Sequence, residues 1–143
     1  MLHAAILTGM LAALVACGPT SGVPERPNLG ISNGTAMTVT LFVNGESVAT
    51  FPAGAGESRL NVSELPGLPW VVEARTSSGR VLASMEIQPG GVRTTVTRDV
   101  TTMIGQMDRV DLSCGRLTIW AGDQQPSGPA PDPSAGEPGD CVP

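Results

Sequence analysis

Apolar and polar residues alternate in the segment 37–43, where methionine, valine and leucine occupy every second position. Such alternation is typical of a β-strand with one buried face. Asn44-Gly45 follows, a pair that favours a two-residue hairpin turn because both residues tolerate positive φ. We therefore predict a hairpin whose return strand is Glu46–Phe51. The predicted register places Leu41 opposite Val48 and Phe42 opposite Ser47.

Six more strands are predicted from period-two alternation, β-branched residues and the Gly- or Pro-rich turns between them. They are Ser58–Val62, Trp70–Arg75, Val81–Ile87, Val92–Thr101, Arg109–Ser113 and Leu117–Ala121. Ser77-Ser78-Gly79 predicts a hairpin loop with its glycine in the left-handed region. Val92, Val96 and Val100 are expected to face the core. Residues 101–108 show no clear period, and we expect either a loop or a bulged edge there.

Seven or eight short strands without a convincing helix predict an all-β protein, a single small antiparallel β-sandwich over residues 30–122. The strand rhythm resembles that of the immunoglobulin-like and transthyretin-like sandwiches of bacterial surface proteins. Trp70 and Trp120 fall at strand positions. We expect both to anchor the core, the alternative being that they serve as platforms on which a ligand stacks.

The strands are preceded by an apolar run of about 12 residues, which ends at Leu14-Val15-Ala16-Cys17. This tetrapeptide resembles the lipobox of bacterial lipoprotein signal peptides: a branched apolar residue, a tolerant position, a small residue and cysteine. The resemblance implies that residues 1–16 are a signal peptide, that cleavage occurs before Cys17, and that the Cys17 thiol carries a diacylglycerol. It therefore implies an extracytoplasmic protein anchored by lipid to the bacterial cell membrane or outer membrane.

The apolar run fits three alternative roles less well. A transmembrane helix needs roughly 20 apolar residues, more than the run contains. A buried helix is disfavoured because Gly18-Pro19 follows directly. An ordinary cleaved signal peptide remains the alternative, and it would leave Cys17 as an odd thiol beside two later cysteines in an oxidising compartment.

Two Pro- and Gly-rich segments flank the predicted sandwich. Residues 17–29, which include the lipidated cysteine, are expected to form a flexible tether, and residues 123–143 a tail that buries little apolar surface. The tail contains Cys141 close to its end, and only Cys114 remains to pair with it once Cys17 is acylated. The lipobox resemblance thus implies a Cys114–Cys141 disulfide. Two unpaired thiols, or a bridge between molecules, are the alternatives.

The charge of the chain limits its partners. The formal net charge is −5, and all eight basic residues are arginines. Nucleic acid is not an expected partner, because such binding needs a basic surface that displaces counterions. The composition also lacks a polybasic cluster, so membrane attachment is expected to depend on the acyl chains alone.

Residues suited to catalysis are scarce. The single histidine, His3, lies in the predicted signal peptide, and a serine or cysteine nucleophile normally needs a histidine base. We therefore expect no enzyme, cofactor or bound metal. The weaker candidates are a copper(I) site (Met85, Met103, Met107), a calcium site (Asp108, Asp111, Asp123) and a carboxylate pair (Glu46, Glu57, Glu64, Glu73, Glu86). Methionines more often fill cores, the aspartates lack a known calcium-loop spacing, and the glutamates fall at turns or outward strand positions.

The sequence therefore predicts a lipid-anchored, non-enzymatic interaction or structural module of the cell envelope. Its expected contact is the membrane, and another envelope protein is a candidate partner. The competing hypothesis is a surface lipoprotein that binds a small ligand, a glycan or an ion such as calcium. Sugar binding is less favoured, since the chain has no tyrosine and its four phenylalanine and tryptophan residues all suit a core.

Overall fold

The computed structural model describes residues 26–97, 100–123 and 136–143, with 93–97 and 100–104 described by their backbone. The predicted signal peptide, Cys17, the tether as far as residue 25 and tail residues 124–135 lie outside the described residues. The strands are β1 (Leu29–Asn33), β2 (Val39–Val43), β3 (Glu46–Phe51), β4 (Gly56–Leu60), β5 (Trp70–Thr76), β6 (Val81–Ile87), β7 (Arg93–Thr97), β8 (Val100–Ile104), β9 (Gln106–Leu112) and β10 (Gly115–Ala121). The described part of the chain holds no helix with the length and apolar character that crossing a bilayer requires.

Eight of these strands form two antiparallel four-stranded sheets. Sheet A has the order β4-β1-β10-β9 and sheet B the order β3-β2-β5-β6, while β7 and β8 pair as a separate hairpin. The two sheets enclose a single hydrophobic cluster to which both contribute. The predicted all-β sandwich is confirmed.

The core is built from alternate residues of the strands, because successive side chains of a strand point to opposite faces. In β2, the side chains of Val39, Leu41 and Val43 are at most 1% exposed. Trp70 begins β5 inside the same cluster, and its indole Nε1–H donates to the carbonyl of Pro66 at 2.8 Å. Each fully buried aliphatic side chain, such as that of Val39 or Leu41, contributes roughly 1.5–3 kcal/mol to folding.

The predicted β2–β3 hairpin is confirmed, with one correction to its register. Asn44 and Gly45 have φ values of 52° and 85°, as a type I′ turn requires. Phe42 lies opposite Ser47 as predicted, but Leu41 pairs with Ala49 rather than with Val48. The pairing shifts between Leu41 and Phe42, which places Val48 in a β-bulge.

The predictions for three later segments need correction. The strand expected at Ser58–Val62 is β4, which ends at Leu60, and Val62–Glu64 forms a 3-10 turn. The single strand expected over Val92–Thr101 is wrong, because the segment belongs to the two paired strands β7 and β8. Residues 101–108 are not a loop, since they contribute to β8 and β9. Val92 is half-buried against the core, whereas the side chains of Val96 and Val100 lie outside the description.

The other predicted strands are found with small changes at their ends. Strand β6 has the predicted bounds, and β5 extends one residue further, to Thr76. Gly79, in the loop between them, has a φ of 89°, in agreement with the prediction. Strands β9 and β10 start earlier than predicted, and β1 begins at Leu29, the last residue of the predicted tether.

The two lateral sides of the sandwich differ. On one side β6 and β9 are connected, because the Ser84 N–H donates to Asp108 Oδ2 at 2.7 Å and Gln106 Nε2 donates to the Glu86 carbonyl at 3.1 Å. On the other side lie the edge strands β3 and β4, which belong to different sheets. This second side remains open and carries the groove described below.

Candidate functional site

Of the residues that the sequence assigns to sites, two are brought together. Cys114 and Cys141 lie at disulfide-bonding distance with their Cα atoms 5.9 Å apart, as predicted. Cys114 follows β9 in the turn that leads to β10, and its backbone N–H also donates to Cys141 Sγ at 2.9 Å. Cys17, the predicted lipidation residue, lies outside the described residues.

The segment around Cys141 is held by further polar contacts. The Asp140 carboxylate accepts from the backbone N–H groups of Ser113 at 3.1 Å and Glu137 at 2.9 Å, and from the Ser113 hydroxyl. These hydrogen bonds, chiefly that of the Ser113 side chain, lower the pKa of Asp140. Arg80 donates to the carbonyls of Val142 (2.8 Å) and Asp140. The end of the chain is thereby fixed to the turns β5–β6 and β9–β10.

A groove with a volume of about 480 Å³ lies on the open side of the sandwich. We call it the side groove. Its apolar wall consists of Val48, Ala49, Phe51, Leu60 and Leu65. Val48, Phe51 and Leu60 contact the core cluster but remain partly exposed, so the core is incompletely covered here.

The shape of the side groove follows from the bulge and from the 3-10 turn. The bulge at Val48 directs this residue and Ala49 toward the groove. At the other wall, the Asn61 side chain accepts from the Ser63 N–H at 3.2 Å and from the Ser63 hydroxyl at 2.7 Å. This cap starts the 3-10 turn directly after β4 and places Glu64 and Leu65 at the groove.

Arg26 stabilises the same wall from outside. One of its guanidinium nitrogens, Nη1, donates to the carbonyls of Val62 (3.1 Å), Ser63 (3.1 Å) and Leu65 (2.9 Å). The Val62 carbonyl also accepts from the Leu65 N–H within the turn, at 3.3 Å. A cation beside the carbonyls at the end of a helical turn is favourable. Arg26 thus joins the beginning of the described chain to the groove.

The rim of the side groove is polar and carries one charge of each sign. Ser47, Arg59, Asn61 and Glu64 line it. The Arg59 guanidinium lies 3.7 Å from the Glu57 carboxylate, and both side chains are about half exposed. Glu64 accepts a hydrogen bond from Asn61 at 3.2 Å. Screening by solvent makes such surface contacts individually weak, but their charges shape the local potential.

The residues of the candidate calcium site have separate partners. Asp108 accepts from Ser84, Asp123 from Asn28 Nδ2 (3.3 Å), and Asp111 lies between Arg116 (2.6 Å) and Arg109 (2.7 Å). Hydrogen bonds from Arg116 and then Arg109 lower the pKa of Asp111. Within the described ranges, no three His, Cys, Asp or Glu side chains form a group that would hold a metal ion.

The other sequence candidates are dispersed as well. Met85 is buried, Met107 is 37% exposed, and the side chain of Met103 lies outside the description. Among the glutamates, Glu73 contacts Arg75, whereas Glu46, Glu57, Glu64 and Glu86 are exposed on different elements. Of these glutamates, Glu64 alone is among the residues that line the side groove.

The two tryptophans are fully buried, in different places. Trp70 belongs to the core cluster, as predicted. Trp120 alternates with the core residues Ile119 and Ala121 and therefore lies on the outer face of sheet A. Its ring covers Gly30 of β1, where a Cβ atom would lie 2.3 Å from the indole. Neither tryptophan is accessible for stacking with a ligand.

The side groove was not predicted from the sequence. Its apolar residues fit the period-two pattern of core positions, and nothing in that pattern indicates which strands form the edges of a sheet. The bulge at Val48 has no local signal either, because it arises in the pairing with β2.

The chain matches no protein-family model, no curated protein and no solved structure in the comparisons with known proteins.

Proposed function

We propose that this chain is a lipid-anchored, extracytoplasmic lipoprotein that acts as a non-enzymatic interaction module of the bacterial cell envelope. The observation that supports the interaction role most is the open side of the sandwich, where Val48, Phe51 and Leu60 leave the core partly exposed beside two edge strands. Partly exposed apolar residues beside unpaired strand edges are a typical binding surface for a protein partner.

The cysteines support the anchor. The chain has three cysteines, and the pairing of Cys114 with Cys141 leaves Cys17 for acylation. Arg26 follows nine positions later and is attached beside the side groove. Nine residues span at most about 32 Å when fully extended, so a lipid on Cys17 keeps the groove close to the membrane surface.

The anchor is tested by mass spectrometry of the amino-terminal peptide from the membrane fraction. The expected peptide begins at Cys17 and carries the mass of a diacylglyceryl group, while Cys17→Ser yields an unprocessed and unlipidated precursor. An unmodified peptide beginning at another residue would contradict the anchor.

The interaction role is tested by photo-crosslinking in the native membrane. A photoreactive residue at Ala49, in the groove wall, is expected to capture one defined envelope protein, and the crosslink is expected to be absent when the probe replaces Val81. Val81 is the matched control because it is 45% exposed and lies on β6, away from the groove. Equal capture from both positions would contradict a role of the groove.

The size of the side groove favours a second function, the binding of a small ligand. Its volume of about 480 Å³ lies within the range of roughly 300–1,000 Å³ typical of ligand sites. A thermal-shift screen of the purified protein against glycans, calcium and copper separates this function from the first. A saturable increase in Tm that is abolished by Ala49→Trp, which fills the groove, would favour the ligand site.

A further inference from the structure

The two strands beside the side groove differ as templates for another strand. An edge strand presents unpaired backbone N–H and C=O groups along its outer side. In β3 the bulge at Val48 interrupts this row. In β4 the pairing with β1 is continuous from Gly56 to Leu60, and the outer edge is regular after Gly56, whose φ is 69°. β4 is therefore the edge to which an extended segment can add.

A strand that adds to β4 faces the side groove with every second side chain, because side chains alternate between the two faces of a sheet. The surface available to those side chains is apolar, formed by Val48, Phe51 and Leu60. Alternate apolar residues in the added segment would complete the cover of the core.

The charges around the outer edge of β4 indicate which residues should alternate with the apolar residues of the added segment. Three glutamates and two arginines surround the groove, which leaves a net charge of −1. Glu64 and Arg59 line the groove, Glu46 and Glu57 lie on the two edge strands beside it, and Arg26 is bound to the carbonyls of its wall. Arg59 pairs with Glu57, whereas Glu46 and Glu64 form no salt bridge with a described residue. The net charge of the whole chain is also negative. A basic segment is thus complementary, and steering by the negative potential speeds its association.

From these features we infer that the side groove binds an extended basic segment of a partner envelope protein, which adds to the outer edge of β4 and places alternate apolar side chains against Val48, Phe51 and Leu60. Main-chain hydrogen bonds to β4 provide affinity, and the groove selects the alternating apolar residues. The inference rests on the proposed function and specifies the chemistry of its partner.

The test uses pools of fluorescent heptapeptides and the full chain, purified with its disulfide intact in detergent micelles. Every peptide has Val or Leu at positions 2, 4 and 6, and the remaining positions are Lys in one pool and Glu in the other. The Lys pool is expected to bind at least about tenfold more tightly in fluorescence polarisation. Comparable binding of the Glu pool, or no binding of either, would overturn the inference.

A third pool separates strand addition from simple apolar contact. The third pool has the Lys-pool sequences with N-methyl groups on the amides that pair with β4. A matched fourth pool carries the N-methyl groups on the alternate amides instead. N-methylation removes a hydrogen-bond donor without altering the side chains, so one of the two methylated pools is expected to lose at least about tenfold in affinity. Equal binding of all three pools would rule out strand addition.

Variants of the protein locate the bound peptide. Glu64→Gln is expected to weaken binding of the Lys pool by roughly two- to fivefold, since an exposed ion pair contributes up to about 1 kcal/mol. Glu86→Gln, exposed on β6 at the opposite side, is the matched control and is expected to have no effect. NMR shifts of the Lys-pool complex are expected in β4 and in residues 46–51 and 61–65. Shifts confined to other strands, or peptide-independent dimerisation through β4, would overturn the inference.

The outcomes also distinguish this inference from the proposed function. If Cys17 is lipidated and Ala49 crosslinks to a partner while no peptide pool binds, the interaction module stands and strand addition fails. If the Lys pool binds through β4 but no lipid is found on Cys17, the anchor fails and the recognition mode stands.

Discussion

At the scale of single residues, the two tryptophans show how similar burial can accompany different polar environments. Both are 0% exposed, and the indole N–H of Trp70 donates to the Pro66 carbonyl. The Nε1 atom of Trp120 is buried and has no hydrogen-bond partner among the described residues. An unsatisfied buried donor costs about 1–3 kcal/mol, whereas a formed hydrogen bond contributes about 0.5–1.5 kcal/mol.

We therefore predict that Trp70→Phe destabilises the protein more than Trp120→Phe, by about 1 kcal/mol or more. Each substitution removes a similar amount of buried ring, so the difference between them isolates the hydrogen bond. The free energies of unfolding come from guanidinium titrations of the full chain. Equal losses, or a greater loss for Trp120→Phe, would contradict the hydrogen-bond assignment.

A second prediction at this scale concerns pH and Asp111. Because Arg116 and Arg109 lower the pKa of this carboxyl in the folded protein, its contribution to stability is present above the unfolded pKa near 3.8 and is lost as the pH falls toward the folded value. We expect the stability difference between wild type and Asp111→Asn to be largest near neutral pH and to shrink below about pH 4.

The comparison needs a control for the loss of one negative charge. Glu46→Gln removes a charge from an exposed position in β3, distant from Arg109 and Arg116 in sheet order. The free energy of unfolding of Glu46→Gln is expected to differ little from that of wild type, both near neutral pH and below about pH 4. A pH-independent effect of Asp111→Asn would show that the ion pairs make no net contribution.

At the scale of secondary-structure elements, the sequence is informative where the determinants are local. Asn44-Gly45 predicts both the turn type and the flanking strands, and the alternation in Val81–Ile87 predicts β6 to the residue. The bulge at Val48 and the boundary between β7 and β8 were not predictable in this way. The run Val92–Thr101 is rich in β-branched residues and contains no glycine, proline or asparagine, so that Asp99 is its single turn-favouring residue.

The β2–β3 turn offers a test of local conformation without steric interference. A Cβ atom at Gly45 or at Gly67 would meet no atom within 4 Å, but Gly45 has a φ of +85° and Gly67 does not have a positive φ. We predict that Gly45→Val lowers the free energy of unfolding by about 1–3 kcal/mol, since a β-branched residue is strained in the left-handed region.

Gly67→Val is the matched control and is expected to change stability by less than about 0.5 kcal/mol, as most exposed substitutions do. Thermal and chemical unfolding of both variants gives the comparison. If the midpoint of Gly45→Val equals that of wild type, the turn does not require its positive φ.

At the scale of the whole molecule, the arrangement of the sheets depends on contacts between distant parts of the chain. β1 lies between β4 and β10. β1 and β10 are the first and the last strand along the chain, and the pairing of Gly30 with Trp120 joins residues 90 positions apart. No local pattern indicates these neighbours, so the sandwich was predictable as a class while its open side was not. The side groove follows from the sheet order, because that order leaves β3 and β4 as edges on the same side.

The last prediction concerns the disulfide, which joins the tail to the turn before β10. It closes a loop over a sequence separation of 27, for which the chain-entropy model gives on the order of 3–4 kcal/mol as an upper bound. The bridge lies outside the core cluster, and the same segment is also held by Asp140 and Arg80. Reduction is therefore expected to leave both sheets folded, with an unchanged near-UV CD signal from the two buried tryptophans. Limited proteolysis with mass spectrometry should show faster cleavage after residue 122 in the reduced protein, and faster still in reduced Asp140→Ala. Loss of the near-UV signal on reduction would show instead that the bridge supports the sandwich itself.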